Sequence, residues 1–351
     1  MSFSDTLPWV KEPLIACAPM RLIALEQLTA AVSLAGGLGF LGAGSDTSKL
    51  DDMFEGVKAL LRDKLETKDG LLPVGVGFLN WGADLEEAVE AVAKYKPCAV
   101  WFFAARKDED MVEWTTRMRQ ASPKTHVWIQ VSTVKAAVDI TTKCQPDVLV
   151  VQGTDAGGHG LTDSAASIVT LVPEVIDTLS RHKLDKLPRI IAAGGIMDGR
   201  GVAAAMTLGA EGVVMGTRFL ASQEANIAQG YQKAVLESSD GGMTTVRTSV
   251  YDQLRGTTDW PPGYGGRGII NQSYHDSLTG MTFEDNKKLY DAALQMGDQG
   301  WGERGRLTTY AGTGIGLTSD VKAASDIVRE VRAEASLILQ RTASRLASTS
   351  A

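Results

Sequence analysis

Residues 147–160 read DVLVVQGTDAGGHG. The apolar core Val148 to Val151 is too short and too uniformly apolar to turn a face to water, so it reads as a strand covered on both sides. It then runs into paired glycines and one of the four histidines of the chain. The same grammar recurs from residue 14 to about 220. LIACAP, GFLGA, LLPVGVGF, AVWFFAA, HVWIQV, DVLVVQG, RIIAAGG and GVVMGT are eight candidate strands. Between them lie segments of helical period: IALEQLTAAVSLA, SKLDDMFEGVKALLRDKLE, ADLEEAVEAVAKY, DEDMVEWTTRMRQ, TVKAAVDITTK, SIVTLVPEVIDTLSRH and DGRGVAAAMTLG. Asp84-Leu85-Glu86-Glu87 sets carboxylates at a helix start, where the helix dipole favours them.

Strands alternating with helices point to an α/β fold with parallel strands. Closing eight such strands into a TIM (β/α)8 barrel leaves no edge, whereas the rival, an open doubly wound sheet, leaves two. The barrel is expected over residues 1–220, completed by a C-terminal helix within 317–351. In that helix Val321, Ala324, Ile327, Val328, Val331 and Ala335 share a face that would pack back onto the barrel. After Thr217 the rhythm breaks into Gly-, Ser-, Thr- and Trp-rich sequence. Residues 221–316 therefore read as an irregular inserted smaller domain near the active-site face.

The 351 residues carry a formal net charge of −7 and a pI near 5.3, which argues against nucleic acid or an anionic membrane as partner and for a small molecule. Cys17, Cys98 and Cys144 are odd in number and widely spaced, so they read as reduced, buried thiols. No basic start with an apolar core and no run near the roughly 20 apolar residues of a membrane span is present. The expectation is a soluble, cytoplasmic protein. Without HExxH, CxxC or a carboxylate–histidine cluster, no metal is expected.

Two stretches match G-x-G-x-x-G by letters, GLGFLG from Gly37 and GYGGRG from Gly263, but neither has the strand–turn–helix context that seats a pyrophosphate. The glycines ending the seventh and eighth strands differ. Ala193-Gly194-Gly195 and Gly216-Thr217 fall where barrel enzymes cradle phosphate, with bare backbone N–H groups and a hydroxyl to donate. At the same rim Ala18-Pro19-Met20 offers an apolar contact, and Asn80, Gln130 and Gln152 offer amides. Gly157, Gly158 and His159 follow Gln152 at the same rim. Such a set suits a flat, uncharged polar heterocycle with a phosphate tail, the shape of FMN.

The order of APM, GGLGFLGAG, QGxxAGGH, AAGGI, GxxxAxxLGAxGVxMGTRF and a closing GIGL before a helix resembles the nitronate monooxygenase family, once called 2-nitropropane dioxygenases, over nearly the whole chain. The resemblance implies an FMN-dependent barrel with a small additional domain. Its members oxidise alkyl nitronates, and some nitroalkanes, with molecular oxygen to a carbonyl compound and nitrite, without reduced nicotinamide. His159 is then the catalytic residue: an imidazole can take the proton from the carbon bearing a nitro group, or orient the nitro oxygens of a preformed nitronate. The same superfamily holds flavin-dependent enoyl-acyl-carrier-protein reductases with a similar AGGH element. An NAD(P)H-dependent reductase of enoyl thioesters or activated alkenes is thus the alternative, and a non-catalytic FMN-binding barrel a third reading. Two departures stand out. Asp155 replaces a Glu common among relatives, and Gln130 lies near a common Lys, so a cation is missing from the flavin's surroundings. The insert aromatics Trp260, Tyr264, Trp301 and Tyr310 are expected to pack, with one or two lining the substrate side.

Overall fold

The computed structural model describes residues 2–62, 64–163, 166–182, 184 and 186–349. The strands are β1 (Leu14–Cys17), β2 (Phe40–Gly44), β3 (Leu72–Leu79), β4 (Pro97–Phe103), β5 (His126–Val131), β6 (Val148–Gln152), β7 (Gly158–Leu161), β8 (Arg189–Ala193) and β9 (Gly212–Met215). All but β7 pair in parallel in the order β1-β9-β8-β6-β5-β4-β3-β2. The ring closes where Leu38 N–H donates to the Ile15 carbonyl at 3.1 Å and Cys17 N–H donates to the Leu38 carbonyl at 3.0 Å. A closed barrel, not an open sheet, therefore satisfies the eight buried strands. Helices α1 (Glu26–Leu34), α2 (Leu50–Leu61), α3 (Leu85–Tyr95), α4 (Asp108–Ala121), α5 (Val134–Cys144), α6 (Ile168–Arg181) and α7 (Gly199–Thr207) occupy the periodic segments. At the start of α3, Asp84 Oδ1 accepts from Glu87 N–H at 3.0 Å, the cap its sequence suggests.

Alternation along the strands sorts side chains into two layers. Ile15, Val100, Phe102, Leu149 and Val151 face the helices. Leu14, Phe40, Trp101, Trp128, Val148, Val150 and Val214 fill the barrel. The Phe40 ring lies 5.2 Å from Trp101 and 5.1 Å from Trp128, and Phe3 closes over Trp128 at 6.1 Å. Gly75 makes room for this plug, since a Cβ there would stand 2.2 Å from the Phe40 ring. Glycine at 39 has a similar cause: a Cβ would meet the Thr29 carbonyl at 2.1 Å, so GLGFLG is close packing of α1 against β2.

Residues 221–316 correct the expectation of an irregular insert. After the short α8 (Thr217–Leu220) come α9 (Gln229–Glu237), α10 (Gly241–Thr244), β10 (Thr245–Thr248), α11 (Val250–Arg255), β11 (Tyr264–Ile269), α12 (Gln272–Leu278) and α13 (Phe283–Leu294). Their composition hides them because polar bonds replace apolar stripes. Asn271 caps α12 through Tyr274 N–H at 3.1 Å and donates to the Arg306 and Leu307 carbonyls at 3.0 and 3.1 Å. GYGGRG is mostly β11, and its glycines admit neighbours: a Cβ on Gly266 would lie 2.4 Å from the Tyr310 ring. Nor does DAGGHG end in a loop. Gly158–Leu161 is β7, antiparallel to β11, which is antiparallel to β10.

The last helix, α14 (Ala324–Thr349), packs on α7 and α1. Ala324, Ile327, Val328, Val331 and Ala335 are buried as expected, while Val321 precedes the helix and is 37% exposed. Residues 350 and 351 of the expected helix lie outside the described residues. Cys17, Cys98 and Cys144 are unpaired and buried; burial pushes all three thiols up, Cys144 to about 11. Among the described residues no helix is long and apolar enough to cross a membrane.

Candidate active site

With the barrel floor plugged, the open volume lies at the C-terminal ends of the strands, a cavity of about 460 Å3. Ala18-Pro19-Met20 after β1, Gln130 on β5, Gln152 on β6 and Gly157, Gly158 and His159 all line it. So do Ala193 at the end of β8, Gly194-Gly195 after it and Gly216-Thr217 after β9. Asn80 is not among its lining residues. Its Oδ1 accepts from Phe103 N–H at 2.8 Å and its own N–H donates to the Phe103 carbonyl at 2.9 Å, so it ties β3 to β4 at the rim. Strand parity explains this: Gly75 and Gly77 point inward at Phe40 and Pro19, Leu79 and Trp81 continue that face, and Asn80 is out of phase.

The two glycine turns differ physically. Gly194 and Gly195 have φ of 103° and 74°, the left-handed region that favours glycine. A Cβ on Gly194 would stand 2.9 Å from the Gly153 carbonyl, so the fold itself needs these residues. Gly216 has φ −112°, and a Cβ there would meet only Ala18 Cβ at 3.7 Å and Met20 Sδ at 3.8 Å, ordinary contacts. Beside it Thr217 Oγ1 accepts from Gly312 N–H at 3.0 Å, which leaves the hydroxyl proton for another acceptor. Gln130 Oε1 accepts from Trp101 Nε1 at 3.2 Å; its Nε2 has no hydrogen-bond partner among the described residues.

The loop after β6 is held from the insert. Arg247 on β10 donates to the carbonyls of Ala156 at 2.7 Å, Gly158 at 2.8 Å and Gly265 at 2.9 Å. Burial, with Arg267 alongside, lowers this guanidinium to about 10, still a cation at neutral pH. Asp155 faces away from the cavity chemistry: its Oδ1 accepts from Thr313 Oγ1 at 3.0 Å, and its carbonyl from Thr313 N–H at 3.0 Å.

His159 Nε2 lies 2.8 Å from Oδ1 of Asp252, an α11 residue only 5% exposed. The same oxygen accepts from Tyr310 Oη at 3.0 Å and Thr257 Oγ1 at 3.2 Å. Burial, with Asp252 beside it, raises the Tyr310 phenol well above its ordinary value, so it stays protonated and donates. The Trp260 ring stacks on the imidazole at 3.6 Å and 9°. Of the insert aromatics, Trp260, Trp301 and Tyr310 line the cavity, whereas Tyr264 packs against Phe103. Arg21 and Arg255 add two cationic side chains to the wall. Sequence reasoning missed Asp252, Thr257 and Arg247, which lie roughly 90 residues or more from the histidine loop. The one local signal was an acid between Tyr251 and Leu254 in a short apolar-faced helix.

A closed parallel barrel with a ligand-sized cavity at its strand C-termini, glycine turns after β8 and β9 and a carboxylate-bound histidine in the wall has the architecture of a barrel enzyme. The sequence model of the nitronate monooxygenase family matches residues 73–333. The chain is 47% identical to nitronate monooxygenase npaC of Metarhizium robertsii, covering 98% of this chain and 97% of that protein. It is 39% identical to a nitronate monooxygenase of Neurospora crassa, covering 93% and 90% respectively. Among solved structures, FabK from Thermotoga maritima superposes with a TM-score of 0.73 at 26% identity, over 97% of this chain and 98% of that one. The chain belongs to the nitronate monooxygenase family, and it is an oxidoreductase of that kind.

Proposed function

We propose that the protein uses FMN and molecular oxygen to oxidise alkyl nitronates to the carbonyl compound and nitrite. The observation that carries this reading is His159, set in the cavity wall and bonded to buried Asp252, in a chain of this family. The residues present fit a flavin mononucleotide. Gly216 is glycine although no protein atom crowds its Cβ position, as expected where a bound group takes the space. The Thr217 hydroxyl proton and the backbone of Gly194-Gly195 and Gly216 would hold the phosphate. Ala18-Pro19-Met20 would pack on the ring system, with the amides of Gln130 and Gln152 at its polar edge. When bound, the flavin supplies the redox chemistry, taking electrons from the nitronate and passing them to oxygen.

The chain's own residues do the rest. Arg21 and Arg255 put positive charge on the wall of a protein of net charge −7, which suits entry of a nitronate anion. Trp81 and Phe103 line the cavity and pack on Trp260 at 5.4 and 6.1 Å, an aromatic wall that excludes water. His159 orients the nitro oxygens of a nitronate, or removes the proton from a neutral nitroalkane.

The test begins with acid release of the yellow cofactor and chromatography, with FMN expected and FAD contrary. The holoprotein is then mixed without oxygen with ethyl nitronate and, separately, with NADPH. Ethyl nitronate should bleach the flavin absorbance, and nitrite should form once oxygen is admitted. Bleaching by NADPH alone would instead assign an alkene or enoyl-thioester reductase, and bleaching by neither a non-catalytic binding protein.

A further inference from the structure

An imidazole has two nitrogens, and this fold commits one of them. Nε2 of His159 is 2.8 Å from Asp252 Oδ1, an oxygen that also accepts from Tyr310 and Thr257. A carboxylate oxygen only accepts, so Nε2 carries a proton, and in the neutral ring the lone pair is left on Nδ1. The ring is held on its other sides as well. Trp260 covers one face at 3.6 Å, and Gln152 Nε2 donates to the His159 carbonyl at 3.0 Å. Arg247 grips the preceding carbonyl, that of Gly158, at 2.8 Å. Nδ1 has no hydrogen-bond partner among the described residues, and His159 lines the cavity.

We propose that Asp252 is a positioning residue that fixes His159 in its Nε2–H form, making Nδ1 the base that takes the α-proton of a neutral nitroalkane. The proposal rests on the nitronate chemistry argued above. In the step, the proton passes from carbon to Nδ1, and the C–H electron pair becomes the C=N bond while the nitro oxygens take the negative charge. The imidazolium so formed keeps its positive charge against Asp252. A preformed nitronate has no such proton to lose, so its oxidation does not depend on which ring nitrogen bears hydrogen.

Asp252→Asn keeps the shape but offers an amide that can donate to Nε2, which moves the ring proton to Nδ1 and removes the base. In the holoenzyme, kcat/KM for nitroethane should then fall by roughly the 10²- to 10⁴-fold typical of losing a general base, with ethyl nitronate changed by less than about tenfold. A purely structural bond would move both substrates together. Independently of activity, NMR of 15N-histidine-labelled holoprotein reads the tautomer directly, with His159 assigned by the signal lost in His159→Asn. The parent should show Nε2–H and Asp252→Asn a shift toward Nδ1–H. An Nδ1–H parent overturns the proposal, even if the variant does not fold. So does an Asp252→Asn enzyme with an unchanged tautomer or an equal loss on both substrates. If the parent oxidises neither substrate, the proposed function fails, and Asp252's hold on His159 is judged by the tautomer shift alone.

Discussion

Gly216 and Gly195 look equivalent in the sequence, each ending a barrel strand, yet they answer to different demands. Gly195 has φ 74° and a Cβ there would stand 2.9 Å from Asp155 Cβ, so Gly195→Val should lower the melting temperature of the protein whether or not flavin is present. Gly216→Val should leave the flavin-free melting temperature nearly unchanged while weakening flavin retention by about tenfold or more, the cost of about 1.4 kcal/mol of lost contact. Equilibrium titration of stripped protein with FMN, alongside thermal melts, separates the two. Unchanged affinity in Gly216→Val would remove the cradle from the argument. The glycines, amides and histidine were legible because they end apolar runs, and strand ends of a barrel share one rim. Asn80 satisfied that rule but not the period of two, which turns every second residue off the cavity.

At the level of elements, the small sheet β10-β11-β7 does what the loop after β6 cannot do alone. That loop turns its carbonyls inward, and a single guanidinium on β10 satisfies those of Ala156 and Gly158. Arg247→Met keeps the apolar stem and removes the donors, leaving carbonyls buried without partners. The expected loss is on the order of 3 kcal/mol in folding stability, with poorer flavin retention, read by denaturant titration of the holoprotein. A variant as stable as its parent would show that the loop holds itself. None of this sheet was legible in the sequence. β7 and β11 are rich in glycine, which local propensity marks as turn, and what makes them strands is the ladder between them and the Tyr310 ring filling the space over Gly266.

Across the whole molecule, the two ends of the barrel carry different liabilities. At the end opposite the cavity, burial lowers the pKa of His126; Asp147 opposes this, and Lys186, Arg189 and Arg119 add to it. The folded-state value lies below the ordinary value of about 6.5, so the unfolded chain takes up the proton first. The associated stability is complete above about pH 6.5 and is lost as pH falls through the window beneath it. His126→Gln should flatten the fall in melting temperature between pH 7 and 5 relative to the parent. An identical slope in the two proteins would count against it. The barrel itself was readable end to end, because eight runs without a polar face admit few arrangements other than a closed ring. What the barrel does not contain is the immediate surroundings of its own histidine. Asp252, Thr257, Trp260 and Tyr310 all arrive from beyond β9, on a segment joined to β7 by a ladder. Scaffold and reagent environment are thus inherited on separate stretches of one chain. Exchanging residues 221–316 among relatives as a cassette would retune the proton chemistry of the histidine while keeping the sequence of the glycine turns after β8 and β9.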